Sequence, residues 1–143
     1  MIEGSDSMTT ALKIFPVGII HSKGKKVWID VLDAYTDALL GLEGFSHINV
    51  LFWFHQNDTP EKRRVVQVHP RNDPSNPLTG VFATHSPMRP NLIGLTPCKI
   101  ISIEGNRITL DGIDASDGSP VIDIKGFIPS ALPASSIRVP KWV

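Results

Sequence analysis

The chain has 143 residues, with fourteen lysines and arginines balanced by fourteen aspartates and glutamates. That length fits one domain with a core of its own. The balance excludes a protein that coats nucleic acid by bulk charge, while leaving room for a local basic patch. The opening "MIEGSDSM" lacks an apolar core and a basic lead, so it is no signal peptide. We read residues 1–12 as a disordered tail, with Met8 marking residues 1–7 as a candidate cloning scar. "KIFPVGIIHS" (13–22) predicts a strand before a Ser-Lys-Gly turn, and "KVWIDVL" (26–32) a second strand with one mainly apolar face. In "DAYTDALLGLEG" (33–44) the period changes, and Leu32, Tyr35, Leu39 and Leu42 predict a short helix. "HINVLFWFH" (47–55) predicts a central strand. A polar loop (57–64), a strand "RVVQVH" (64–69) and a long proline-bearing loop (70–80) follow. "GVFATHSPMRPNLIGL" (80–95) starts like a strand at Val81 and Phe82 and is then broken by Pro87 and Pro90. Residues 98–114 predict a hairpin about Gly105-Asn106, and residues 119–129 a last strand. Residues 131–143 form a proline-bearing C-terminal arm beyond a domain spanning 13–130. Seven short strands and one short helix predict an all-β fold, a small single-domain barrel or sandwich.

The residues themselves narrow the chemistry. No G-x-G-x-x-G follows a strand and no G-x-x-x-x-G-K-[ST] occurs, so neither usual nucleotide cradle is present. Of the five histidines, His47 and His55 share a strand face but stand about 26 Å apart at strand rise, too far to share an ion. His69 and His85 could meet across the sheet, but no paired-cysteine or His-Glu-x-x-His pattern supports them, and we expect no metal. The single cysteine, Cys98, rules out an internal disulfide, reads as a small core hydrophobe and points to a cytoplasmic setting. No apolar run approaches the ~18 residues of a membrane span. The 80–95 loop and "DASDGSPVIDIK" (114–125) both set Gly and Pro beside polar groups. Arg89 offers planar donors for a carboxylate or phosphate, and Asn91 both donates and accepts. Lys23, Lys25 and Lys26 form one basic cluster, and Lys62, Arg63 and Arg64 another; they matter if they flank one groove.

Three of these segments together resemble the signatures of the TsaA-like family, whose best-known members are TrmO-type tRNA N6-methyltransferases. "GVFATHSPMRPNLIGL" resembles "GxFATRSPxRPNPIG", and "DASDGSPVIDIKGF" resembles "DxxDGTPVLDIKPY". "GLEGFSHINVLFWFH" resembles a third block, and "VHPR" and "FPVGIIHS" also fit. The resemblance runs from Ile14 to Pro129.

It implies a small β-barrel that binds S-adenosylmethionine, works as a homodimer, and methylates N6 of threonylcarbamoyl-adenosine in the tRNA anticodon loop. Carried over, the cofactor site would include Phe82, Ala83, Arg89, Pro90, Asn91, Ile93, Gly94 and Leu95. The second loop would add Asp117, Gly118, Ser119 and Pro120, with Lys125 at the edge. His47, His85 and Asp123 are the candidate bases for the acceptor proton, and the sequence does not choose among them. His85 stands where the family has Arg, Leu92 where Pro is common, and Gly126-Phe127 where Pro-Tyr is usual. The sequence also continues only to Val143, without the further domain of many bacterial members. Two other functions fit the same donor site: methyl transfer to a small molecule, and non-catalytic sensing of the donor.

Overall fold

The computed structural model describes residues 10–143. Of the tail expected over residues 1–12, residues 1–9 lie outside the described residues. Strands β1 (Gly18–Lys23), β2 (Lys26–Val31), β3 (His47–Trp53), β4 (Gln67–Val68), β5 (Thr79–Gly80), β6 (Ile93–Glu104), β7 (Arg107–Leu110) and β8 (Pro120–Gly126) follow in chain order. Six of them close an antiparallel barrel in the order β1-β2-β7-β6-β3-β8, so the barrel itself has no open edge. β4 and β5 form a separate two-stranded ladder.

Alternation builds the barrel. In β3, Ile48, Val50 and Phe52 are buried, while His47, Asn49, Leu51 and Trp53 take the outer face. Ile20 and Ile29 from the first hairpin, Ile108 from β7 and Val121 from β8 fill the same interior. Each such side chain contributes roughly 1.5–3 kcal/mol on burial. Gly105, at φ 59°, makes the tight turn between β6 and β7 in a region that side chains disfavour.

Four local expectations change. Residues 33–44 form two 3₁₀ segments, Asp33–Leu39 and Leu42–Gly44, the first kinked within itself at Tyr35, φ −116°. Polar bonds compete with the α-helix there: Thr36 Oγ1 donates to the Asp33 carbonyl, and Asn106 Nδ2 donates to Thr36 Oγ1 and the Val31 carbonyl. The polar loop before β4 holds a helical turn, α1 (Pro60–Arg63), capped by Thr59 and started by Pro60. The strand expected over 64–69 shrinks to Gln67–Val68. Val81–Ala83 form a 3₁₀ turn, and β6 starts at Ile93, running through Pro97 opposite Asn49.

Candidate functional site

The 84–92 loop is held by arginines. Arg89 Nη1 donates to the carbonyls of Thr84 and Ser86, both at 3.1 Å, so its guanidinium braces its own loop. Arg63 ties that loop to α1: its Nε donates to the Pro90 carbonyl at 2.9 Å and its Nη2 to Asn91 Oδ1 at 3.4 Å. It also pairs with Asp58 at 3.1 Å and lies over the Trp53 ring at 5.4 Å. The Asp58 carboxyl is held below its ordinary value, chiefly by the hydrogen bond from Trp53 Nε1, with burial opposing and Arg63 adding to the effect. Beneath the loop Leu92 is fully buried, and its carbonyl accepts from the Phe54 amide at 2.8 Å.

Two cavities meet at this loop, and Pro87 lines both. The smaller, about 300 Å³, is lined on one side by Phe52, Phe54, His55, Gln56 and Asn57, where β3 ends. Its other side is Asp114, Ala115, Ser116 and Ser119. Phe52 and Phe54 meet edge to face at 5.3 Å. Gly94 lets them do so, since a Cβ there would stand 2.7 Å from Phe52 and 2.8 Å from Phe54. Ser116 Oγ donates to Gln56 Oε1 at 3.1 Å, which joins the two sides. Thr96 Oγ1 donates to Asp114 Oδ1 at 2.7 Å. The Ser22 amide donates to Asp117 at 2.8 Å and the Gly118 amide to the Ile20 carbonyl at 2.8 Å, fixing the 114–119 loop to β1. Burial, and then the charge of Asp114, push the Cys98 thiol up to about 11, so it stays a neutral core residue.

One basic cluster reaches the lining of this cavity through Lys62, and the other lies at the β1–β2 turn. Lys62 Nζ donates to the Gln56 carbonyl at 3.4 Å and to Asn57 Oδ1 at 3.3 Å. Lys23, Lys25 and Lys26 sit in and beside the β1–β2 turn, next to the Ser22–Asp117 bond.

The larger cavity, about 420 Å³, lies on the other side of Pro87. His69, Arg71 and Asn72 form one wall and Ala83, Thr84 and His85 another. Trp142, from the C-terminal arm, also lines it. Arg71 Nε donates to the Trp142 carbonyl at 2.8 Å.

The expected site residues are dispersed. Ser119 lines the smaller cavity, and Ala83 and His85 line the larger. Asp117 and Gly118 bond to β1, and Pro120 begins β8 opposite Ile19. Phe82 is 85% exposed, and Ile93 and Leu95 are exposed on β6. His47 stands at the far end of β3 from Trp53, with Nδ1 2.7 Å from Ser46 Oγ. Asp123 pairs with Lys125 at 3.3 Å on β8. The three candidate bases therefore do not converge on one cavity. Sequence reasoning passed over Phe52, Phe54, Gln56, Asp114 and Trp142, and weighed His55 only as a metal ligand. His55 and Asp114 were visible as the end of one signature block and the start of another; nothing in the sequence marked Trp142. Among the described residues, no three His, Cys, Asp or Glu side chains gather as a metal site. No helix there is long and apolar enough to cross a membrane.

Residues 7–131 match the tRNA-methyltransferase O N-terminal domain family. The chain belongs to that family. A probable S-adenosyl-L-methionine-binding protein of Pyrococcus horikoshii is 52% identical over 117 residues, covering 82% of this chain and 83% of that protein. The mouse tRNA (adenine(37)-N6)-methyltransferase is 48% identical over 109 residues, which are 76% of this chain but 25% of the mouse protein. The crystal structure of TrmO from Pseudomonas aeruginosa superposes with a TM-score of 0.70 at 31% identity, over 93% of this chain and 62% of that one. The matched region is thus shared across chains of different length, and this chain spans most of the Pyrococcus protein but only part of the mouse and Pseudomonas ones.

Proposed function

We propose that this chain binds S-adenosyl-L-methionine in the smaller cavity and methylates N6 of threonylcarbamoyl-adenosine at position 37 of tRNA. One observation carries the donor site. Three signature segments far apart in sequence, ending at His55, centred on Pro87 and running from Asp114 to Ser119, line the same cavity. Its volume lies at the small end of the range for cofactor sites, and its lining mixes apolar rings with a few polar groups.

The residues present fit the donor. Phe52 and Phe54 offer ring faces and edges to the adenine. Asp114 can accept from ribose hydroxyls and offers negative charge to a sulfonium. The Gln56 and Asn57 amides can donate and accept. Lys62, beside both, suits the methionyl carboxylate. Arg89 is less suited, because its Nη1 already serves two loop carbonyls.

The donor supplies a methyl group on a sulfonium: a nitrogen–carbon bond forms as the sulfur–carbon bond breaks, its electron pair staying on sulfur. The acceptor nitrogen gives up one proton. His55, which lines the smaller cavity, and His85, which lines the larger, are the imidazoles placed at the two cavities to take it, and water can carry it onward. Most of the rate then comes from alignment of donor and acceptor.

Lys62, bonded to residues that line the cavity, with Arg63 and Arg64 beside it in sequence, supports an RNA acceptor over a small molecule, since such a cluster can grip a phosphate next to an entering nucleotide. Exposed Ile93 and Leu95 on β6, beside Trp53 and Leu51 on β3, support a homodimer through this outer face. The buried, neutral Cys98 suits a cytoplasmic protein.

Calorimetry with the donor tests the cavity. Wild type should bind, and Gln56→Ala should bind several-fold more weakly. Absence of binding at millimolar donor rejects the reading. Labelled-methyl transfer to tRNA with and without the threonylcarbamoyl group tests the acceptor. A second reading, a non-catalytic donor-binding module, is favoured by the scatter of the candidate bases; donor binding without transfer to any tRNA would select it.

A further inference from the structure

The 420 Å³ cavity has no part in donor binding as proposed, yet it shares Pro87 with the donor cavity. Methyl transfer needs the acceptor nitrogen within roughly 3–3.5 Å of the methyl carbon. The acceptor must therefore sit in a space that adjoins the donor site. The larger cavity is that neighbour, and its walls suit a base out of its stack: two imidazoles, His69 and His85, an indole, Trp142, and a guanidinium, Arg71. Unpaired bases in RNA complexes lie against such rings and guanidinium planes.

Two further features single out this place. Arg71 and Asn72 have φ of 60° and 54°, the only positive-φ residues other than glycine among the described residues. Such conformations cost free energy and gather at ligand clamps. The second feature is the arm. The family match ends at residue 131, so Trp142 lies beyond the matched segment. Arg71 holds it through the Trp142 carbonyl at 2.8 Å, and the Val143 amide donates to the Pro140 carbonyl at 3.2 Å. A half-buried tryptophan on an otherwise exposed arm is thereby fixed at the cavity mouth.

We propose that the larger cavity is the acceptor subsite for an unstacked purine nucleoside, and that Trp142 is its stacking wall and a specificity-determining residue. The assignment rests on the donor reading above for its neighbour. Its test uses the full chain saturated with S-adenosylhomocysteine, the demethylated donor product, so that no turnover occurs. Binding of the free nucleoside N6-threonylcarbamoyladenosine is then measured by calorimetry. Wild type binds it; Trp142→Ala binds it about tenfold or more weakly; Trp142→Phe, which keeps a ring, recovers most of the affinity. Binding of S-adenosylhomocysteine itself stays within about twofold in both variants. In transfer to tRNA, Trp142→Ala raises KM with a smaller change in kcat.

Three results overturn the proposal. One is unchanged nucleoside binding in Trp142→Ala. Another is a matching loss of S-adenosylhomocysteine binding, which would make the arm a donor wall. The third is no nucleoside binding by wild type at millimolar concentration. In that last case donor calorimetry decides separately whether the donor reading stands, so the two failures are distinguishable.

Discussion

The barrel and the loops over its end are held by different forces. In the barrel, alternating isoleucines and valines from six strands fill one interior, and neighbouring strands repeat the pattern. Over the end, the 84–92 loop is held by two arginines: Arg89 reaches back a few residues, and Arg63 bridges to Pro90 and Asn91. Apolar packing is shared among many contacts and fails as a unit. Polar braces are few and can be released one at a time, leaving the frame folded. The proposed methyl-transfer site would use both, a rigid floor and walls that admit two substrates.

Cutting into the floor should have the largest effect. Ile48→Ala removes a fully buried side chain and leaves a cavity that closed strands cannot collapse around, costing about 2–5 kcal/mol. Urea denaturation should show a lower midpoint and an unchanged slope. Donor affinity of the folded fraction should change little. Gly94→Ala tests the place where floor and site join. Its Cβ would stand 2.7 Å from Phe52 and 2.8 Å from Phe54, so rings lining the proposed donor cavity must move. Overpacking should cost about 1–3 kcal/mol. Unlike Ile48→Ala, it should weaken donor binding in calorimetry at a temperature where the protein is fully folded. Equal donor affinity in the folded Gly94→Ala protein would remove these phenylalanines from the site.

Arg63→Ala should do the reverse of Ile48→Ala. It removes bonds to Pro90, Asn91 and Asp58 from a surface that is partly exposed, so global stability should fall by only about 1 kcal/mol. Hydrogen exchange should report the change where the midpoint does not: amides of residues 86–92 lose protection, and those of β1 and β2 keep it. Loss of protection throughout the barrel would make Arg63 part of the frame.

The same division explains what could be read from the sequence. Strand alternation is written locally, so β3 was legible at His47–Trp53, as was the β6–β7 hairpin at Gly105. The family signatures made the closed barrel and its donor chemistry expected. Partners distant in sequence were not legible. Arg63 read as one of three basic residues in a loop, because Trp53, Asp58 and Pro90 come together only after folding. Arg89 read as a ligand-binding cation, because its bonds to carbonyls five and three residues earlier depend on how prolines turn the chain. The 33–44 helix was overread for a related reason: apolar spacing was right for Tyr35, Leu39 and Leu42, which do pack on the core, but Asn106 draws the backbone into 3₁₀ turns. The hairpin was expected over residues 98–114, and its first strand instead starts at Ile93 and passes through Pro97. Trp142 belongs to an arm with no periodicity, and only the folded chain brings it to Arg71.

Acid offers the finest separation of frame from loop, because Asp30 in the barrel and Asp58 at the loop both have a lowered pKa. Asp30, on β2, is pushed up by burial, but hydrogen bonds from Arg107 and Trp28 and the charges of Arg107 and His21 outweigh that. Asp58, at the loop, is lowered chiefly by Trp53. For both groups the unfolded chain binds protons more readily than the folded one. Their contribution is therefore present above the ordinary carboxylate value of 3.8 and lost as pH falls through the lower folded value. Asp30→Asn should flatten the acid limb of midpoint against pH for the whole barrel. Asp58→Asn should leave that limb nearly unchanged. It should instead flatten the acid-dependent loss of exchange protection over residues 86–92, because Asp58 holds the loop through Arg63. If Asp58→Asn flattened the global limb as strongly as Asp30→Asn, loop and barrel would be one cooperative unit. Donor and acceptor would then have to enter a site whose walls cannot open separately from its floor.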